Sequence, residues 1–148
     1  MLILKNTPAY LDRLVPVIEE YRVFCGAQAD AEGTRAFFES RLADDGAITF
    51  IALDEETDAV MGFVNLYPSY STLAHKRLWI LNDLGVSGNY RGYGVATALI
   101  RKVQDFAAET GAVRVELKTR ADNANARALY RAVGFKEDDQ HVYYQVPT

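Results

Sequence analysis

The chain has 148 residues, 49% apolar and 24% charged, the size and balance of a single globular domain with one core. A net charge of −4 argues against a nucleic-acid surface, and no apolar run approaches the about 20 residues of a membrane span. Cys25 is the one cysteine, which excludes an internal disulfide, and Met1-Leu2-Ile3-Leu4-Lys5 is too short an apolar run for a secretory signal, so cytoplasm is expected.

Residues 2–4 read as a short strand. Thr7 and Pro8 then look like the N-cap and first position of a helix that buries Leu11, Leu14, Val15 and Ile18, with Pro16 expected to kink or shorten it. A second helix is expected over residues 31–42, with Phe37, Phe38 and Leu42 turned inward. Residues 47–53 and 60–66 are rich in β-branched and apolar side chains, and the polar link from Asp54 to Asp58 between them signals a hairpin. Tyr67-Pro68-Ser69-Tyr70-Ser71 reads as a turn-rich loop and residues 78–86 as a strong strand. Val95, Leu99, Val103 and Phe106 recur at close to four residues and predict a helix over 95–110. A strand over 112–118 follows, then a helix over 123–133 closed by Gly134, then one or two extended segments over 135–146. The order β-α-α-β-β-β-α-β-α-β, with hairpins early and crossovers late, predicts an α/β domain spanning residues 1–148. Its central sheet is mixed and mostly antiparallel, with helices on both faces.

The most informative segment joins the strand over 78–86 to the helix over 95–110. A strand ends at Leu84-Gly85-Val86, a glycine-bearing loop follows, and Arg91-Gly92-Tyr93-Gly94-Val95-Ala96-Thr97 opens a helix. The first turn of a helix has backbone N–H groups without intrahelical partners, and the helix dipole adds positive charge there, so this junction suits a phosphate. Gly92 and Gly94 let backbone approach the guest with no Cβ in between, small Ala96 does the same in the first turn, and Arg91 adds a charge-assisted contact. The nucleoside-triphosphate pattern is absent. The dinucleotide pattern starts at Gly92 but has Thr97 at its third glycine and lacks a clear ribose-binding acid, Glu116 lying near that distance but in a strand.

The match Arg-x-x-Gly-x-Gly/Ala, met by Arg91, Gly94 and Ala96, resembles the acetyl-coenzyme A loop of the GNAT N-acetyltransferases. Downstream, Asn123, Ala126, Leu129, Tyr130, Gly134 and Phe135 match that family's N-x-x-A-x-x-L-Y-x-x-x-G-F element. Gly88 stands where the family often has proline. Tyr67 through Ser71 with Lys76 through Leu84 looks like a subgroup near the diamine, histone and polyamine acetylases.

The resemblance implies the family's acyltransferase fold, acetyl-CoA as cosubstrate, a primary amine as acceptor and frequently a homodimer. It implies that Leu84, Gly85 and Val86 pair with the pantetheine arm through free backbone groups, with an N–H near Leu84 as oxyanion donor. Gly92 through Thr97 would hold the pyrophosphate. Asn123 and Tyr130 of the second motif are expected to contact the cofactor, Asn123 serving also as a helix N-cap and Tyr130 as the proton donor to the departing thiolate. A non-catalytic acyl-CoA sensor with the same fold is the alternative, because the family's glutamate base falls at Asn82 here and an amide is no base. Asn82 ordering a water is one expectation for proton removal. Asp83 as base is the other, although strand alternation turns it to the opposite face unless a bulge re-aims it. Acceptor contacts are expected from Tyr21, Arg22, Phe24, Tyr67 and Tyr70, on the early helices and the loop over them. His75 and His141 stand too far apart to suggest a metal, Cys25 reads as buried and apolar, and Trp79 reads as core.

Overall fold

A computed structural model describes residues 1–148, which divide into two compact units, Met1–Lys118 and Thr119–Thr148. The first unit holds a five-stranded sheet in the order β1-β2-β3-β4-β5, made of β1 (Leu2–Lys5), β2 (Ile48–Leu53), β3 (Val60–Ser71), β4 (Lys76–Val86) and β5 (Val115–Glu116). Neighbours from β1 to β4 are antiparallel, and β5 joins β4 in parallel. The mixed, mostly antiparallel sheet expected from the element order is present.

Strand alternation sends successive side chains of β2 to opposite faces. Ile51 joins a cluster with Leu11, Leu14, Ile18 and Phe38 from α1 (Leu11–Phe24) and α2 (Ala31–Asp44). Its neighbour Phe50 meets Phe106 of α3 (Val95–Glu109) edge-on at 5.3 Å, on the other face. Trp79 is core as expected: its ring lies 5.0 Å from Phe106, and its indole N–H donates to Thr110 Oγ1 at 2.8 Å. No helix is long and apolar enough to cross a membrane.

Several expectations are corrected. Thr7 makes no side-chain cap; Pro8–Tyr10 form a short 3₁₀ turn before α1. Pro16 does not shorten α1, which runs through it from Leu11 to Phe24. Residues 67–71 continue β3 instead of forming a loop. They lie beyond the end of β2, whose pairing stops at Leu66, so Pro68 has no ladder bond to lose on that side. The chain turns back between Ser71 and Lys76. Phe37 is 44% exposed, and Cys25 is an exposed free thiol.

The second unit contains α4 (Ala124–Ala132), capped at Asn123, whose Oδ1 accepts from Ala126 N at 3.1 Å. Gly134, at φ 99°, follows it as the sequence predicts. The extended segments expected over 135–146 form no strand.

Candidate active site

The junction between β4 and α3 has the geometry of an anion site. Gly92 and Gly94 sit at φ 82° and 76°, in the left-handed region that disfavours residues with a Cβ, and a Cβ on either would meet open space. Gly94 is the N-cap of α3 and offers no side chain, so the first-turn N–H groups at Val95, Ala96 and Thr97 keep their hydrogen-bonding capacity for a guest. Arg91 and Tyr93 are exposed beside them. The loop is anchored at its start by Gly88 N donating to Glu20 Oε1 at 2.9 Å and Ser87 N donating to the Met61 carbonyl at 2.8 Å.

Upstream of this loop, β4 pairs with β5 only at Trp79 and Ile80. From Leu81 to Val86 the β5 side of β4 has no ladder partner, while the other side stays paired to β3 as far as Val86 opposite Gly62. The backbone around Leu84, Gly85 and Val86 is therefore open along one edge, as a strand-like guest requires.

The central feature is a change of register. Leu66 faces Leu81, whereas Asn65 faces Asp83, so β4 spends one extra residue, Asn82, against β3. Such a bulge breaks alternation and re-aims the side chains beside it. Asn82 and Asp83, consecutive in sequence, consequently both line one cavity of about 390 Å³ between α1, α2 and the sheet. Asp83 Oδ2 accepts from Asn65 Nδ2 at 3.0 Å and from Asn82 Nδ2 at 3.1 Å.

Tyr21, Arg22 and Tyr67, three of the residues from which acceptor contacts are expected, line the same cavity. Burial, reinforced by the charge of Asp83, pushes the hydroxyls of Tyr21 and Tyr67 above the usual phenol range. Arg22 is held at the rim by Glu19 at 2.8 Å and the Gln28 carbonyl at 3.0 Å. Phe24 is 71% exposed and takes no part. Tyr70 is also outside: its ring lies under Arg77, and its hydroxyl accepts from that guanidinium at 3.0 Å. Sequence reasoning missed Thr34, Phe37 and Phe38 from α2, which complete the wall, and the fully buried Asn65 behind Asp83. Asn65 had left a signal, a lone amide inside the apolar run Val60 to Leu66. In the second unit, Tyr130 is half-buried, with its ring edge-on to Phe135 at 5.6 Å, and burial raises its hydroxyl above the ordinary phenol value.

The acetyltransferase (GNAT) family model matches residues 14–135. An N-acetyltransferase of Bacillus subtilis strain 168, YhfO, is 36% identical over 88% of this chain and 87% of its own. A probable acetyltransferase of Haemophilus influenzae is 32% identical over 85% and 84%. The crystal structure of a probable acetyltransferase superposes with a TM-score of 0.95 at 39% identity, covering 100% of this chain and 98% of the other.

Proposed function

This chain belongs to the acetyltransferase (GNAT) family and is an acetyl-CoA-dependent N-acetyltransferase, and from that premise we propose that it acetylates a primary amine held as its cation in the cavity that Asp83 lines. The observation that carries the reading is the register shift at Asn82, which turns a carboxylate into a cavity walled by aromatic rings. A carboxylate and aromatic faces both favour an ammonium group.

An alkyl amine has a pKa of about 10.4, so on the order of 0.1% is neutral near neutral pH. The site must therefore bind the ammonium and remove its proton. Asp83 is the acceptor we assign. An ammonium nitrogen has no lone pair, so one proton leaves before attack, passing to solvent through Asp83, directly or by a water on Asn82. Once nitrogen bonds the thioester carbon a second proton, now far more acidic, leaves by the same path. With a carboxylate in the cavity, the amide at position 82 no longer favours a binding-only protein.

The pyrophosphate of acetyl-CoA is assigned to the first turn of α3 with Gly92, Gly94 and Arg91, and its arm to the open edge of β4. A backbone N–H near Leu84 receives the developing oxyanion. The carbon–sulfur bond then breaks, and the thiolate takes a proton from a donor that stays protonated at neutral pH. Tyr130, a half-buried phenol with a raised pKa, is our choice on that chemistry. The products are an N-acetyl amide and free coenzyme A thiol. The family's frequent homodimer is part of this reading, and light scattering tests it.

An amine panel with acetyl-CoA, read by thiol release, is the direct experiment. Release with a cationic primary amine and none with a neutral alcohol is expected. Cofactor binding without release on any amine would refute the proposal.

A further inference from the structure

Behind Asp83 runs a line of buried polar groups that the transfer chemistry does not touch. Asn65 is fully buried in β3 and Thr49 is 6% exposed in β2, both inside otherwise apolar strands. Burying such groups is costly unless each is paired. Thr49 Oγ1 donates to Asn65 Oδ1 at 2.8 Å, and Asn65 Nδ2 donates to Asp83 Oδ2 at 3.0 Å.

An amide has one acceptor end and one donor end. A carboxylate only accepts, so Asp83 draws the NH₂ end, and the Thr49 hydroxyl, which can donate, satisfies the oxygen end. Rotated the other way, Asn65 would set its carbonyl oxygen against the carboxylate. We propose that Thr49 and Asn65 are positioning residues for the proton acceptor of the reaction: Thr49 satisfies the oxygen end of the Asn65 amide and steadies it, and Asn65 holds Asp83 with one oxygen tied down and the other turned to the acceptor cavity. The inference rests on the assignment of Asp83 as proton acceptor.

The ionisable groups around Asp83 are Tyr21 and Arg22 from α1, Asp30 at the head of α2 and Tyr67 from β3. The two tyrosines stay neutral, Arg22 is paired with Glu19, and Asp30 accepts from Gly33 N at 3.0 Å as the cap of α2.

The test compares Thr49→Val, which replaces one oxygen by a methyl group, with Thr49→Ser, which keeps the hydroxyl, and with Asn65→Leu. In Thr49→Val, kcat/KM with the best amine should fall by up to roughly tenfold, the scale of losing a buried neutral hydrogen bond that steadies the Asn65 amide. The acidic limb of the pH–rate profile should move up, because a less firmly held Asn65 is a poorer donor to the carboxylate. Asn65→Leu should move the limb the same way, and Thr49→Ser should stay close to the parent on both measures. Lower rates with an unmoved acidic limb in both Thr49→Val and Asn65→Leu, while Asp83→Asn abolishes that limb, would overturn the positioning role and leave the assignment of Asp83 standing. An acidic limb that survives Asp83→Asn would overturn both.

Discussion

Asn82 donates its side-chain amide to the carboxylate of its own neighbour, Asp83, at 3.1 Å, which two consecutive residues of a regular strand, pointing to opposite faces, are not placed to do. The extra residue of β4 opposite β3 makes this contact. Asp83→Asn keeps the shape and removes the base, so kcat should fall by about 10²-fold or more, the usual range for general base catalysis. Its acidic limb in the pH–rate profile should vanish while affinity for acetyl-CoA, measured by calorimetry, is unchanged. Asn82→Ala removes one hydrogen bond to Asp83 and should have a smaller effect, roughly tenfold or less. If Asn82→Ala proves the more damaging and Asp83→Asn retains its limb, the base is a water on Asn82.

The junction between β4 and α3, proposed to hold the pyrophosphate, predicts a different signature. Gly94 holds φ 76° at the N-cap of α3, with open space where a Cβ would go. Gly94→Ala should cost about 1–2 kcal/mol through left-handed strain. The methyl group would also stand where the pyrophosphate approaches the first-turn amides. Thermal melts should show the first effect and calorimetry the second, as roughly tenfold weaker acetyl-CoA binding. A variant that melts lower but binds acetyl-CoA as tightly as the parent would place the pyrophosphate elsewhere.

How far these features could be read in advance depended on whether they were local. The α3 junction was legible because its glycines, arginine and helix period lie within one short segment. Asn123 as a cap was legible for the same reason. The position of Asp83 was not, since a register shift belongs to the pairing of two strands and leaves no mark on either alone. Residues 67–71 carry the turn-forming composition of a loop, yet pairing with β4 overrides it, and Pro68 survives because β2 stops short of it. Phe37 and Phe38 are consecutive on α2 and cannot both face the core. Phe38 does, and Phe37 turns to the cavity and to Arg41, whose guanidinium lies 4.9 Å from its ring.

The acceptor cavity predicts separable effects on the two substrates. Tyr21→Phe keeps the ring edge-on to Phe63 at 5.5 Å and removes the hydroxyl from the cavity that Asp83 also lines. KM and relative rates across an amine panel should change, while the acetyl-CoA dissociation constant stays within about twofold, since α1 supplies no group to the first turn of α3. Equal losses for amine and cofactor would remove Tyr21 from the acceptor site.

Tyrosine ionisation sets an alkaline limit on stability. The hydroxyls of Tyr21, Tyr67 and Tyr130 are raised above the ordinary value of 10.0, chiefly by burial. The unfolded chain therefore releases these protons first. The stability tied to their neutral forms is complete below about pH 10 and is lost as pH rises through the higher folded-state values. Denaturant unfolding should accordingly show a decline that begins near that pH, and Tyr21→Phe should make it shallower. A slope in Tyr21→Phe identical to the parent would refute the contribution of Tyr21.

Gly85 connects core packing to the acceptor cavity. A Cβ built on it would lie 2.8 Å from Phe63 Cε1 and 3.1 Å from Tyr21 Cβ. Phe63 is fully buried and cannot yield, so the strain of Gly85→Ala falls on Tyr21. Overpacking of this kind typically costs about 1–3 kcal/mol. The new methyl group points toward α1, whereas the edge offered to the pantetheine arm is backbone and lies in the plane of the sheet. Gly85→Ala should therefore lower the melting temperature and raise KM for the amine as Tyr21 shifts, with acetyl-CoA affinity nearly preserved. Weakened acetyl-CoA binding with an unchanged amine KM would mean that the side-chain face of Gly85, and not its backbone edge, meets the cofactor.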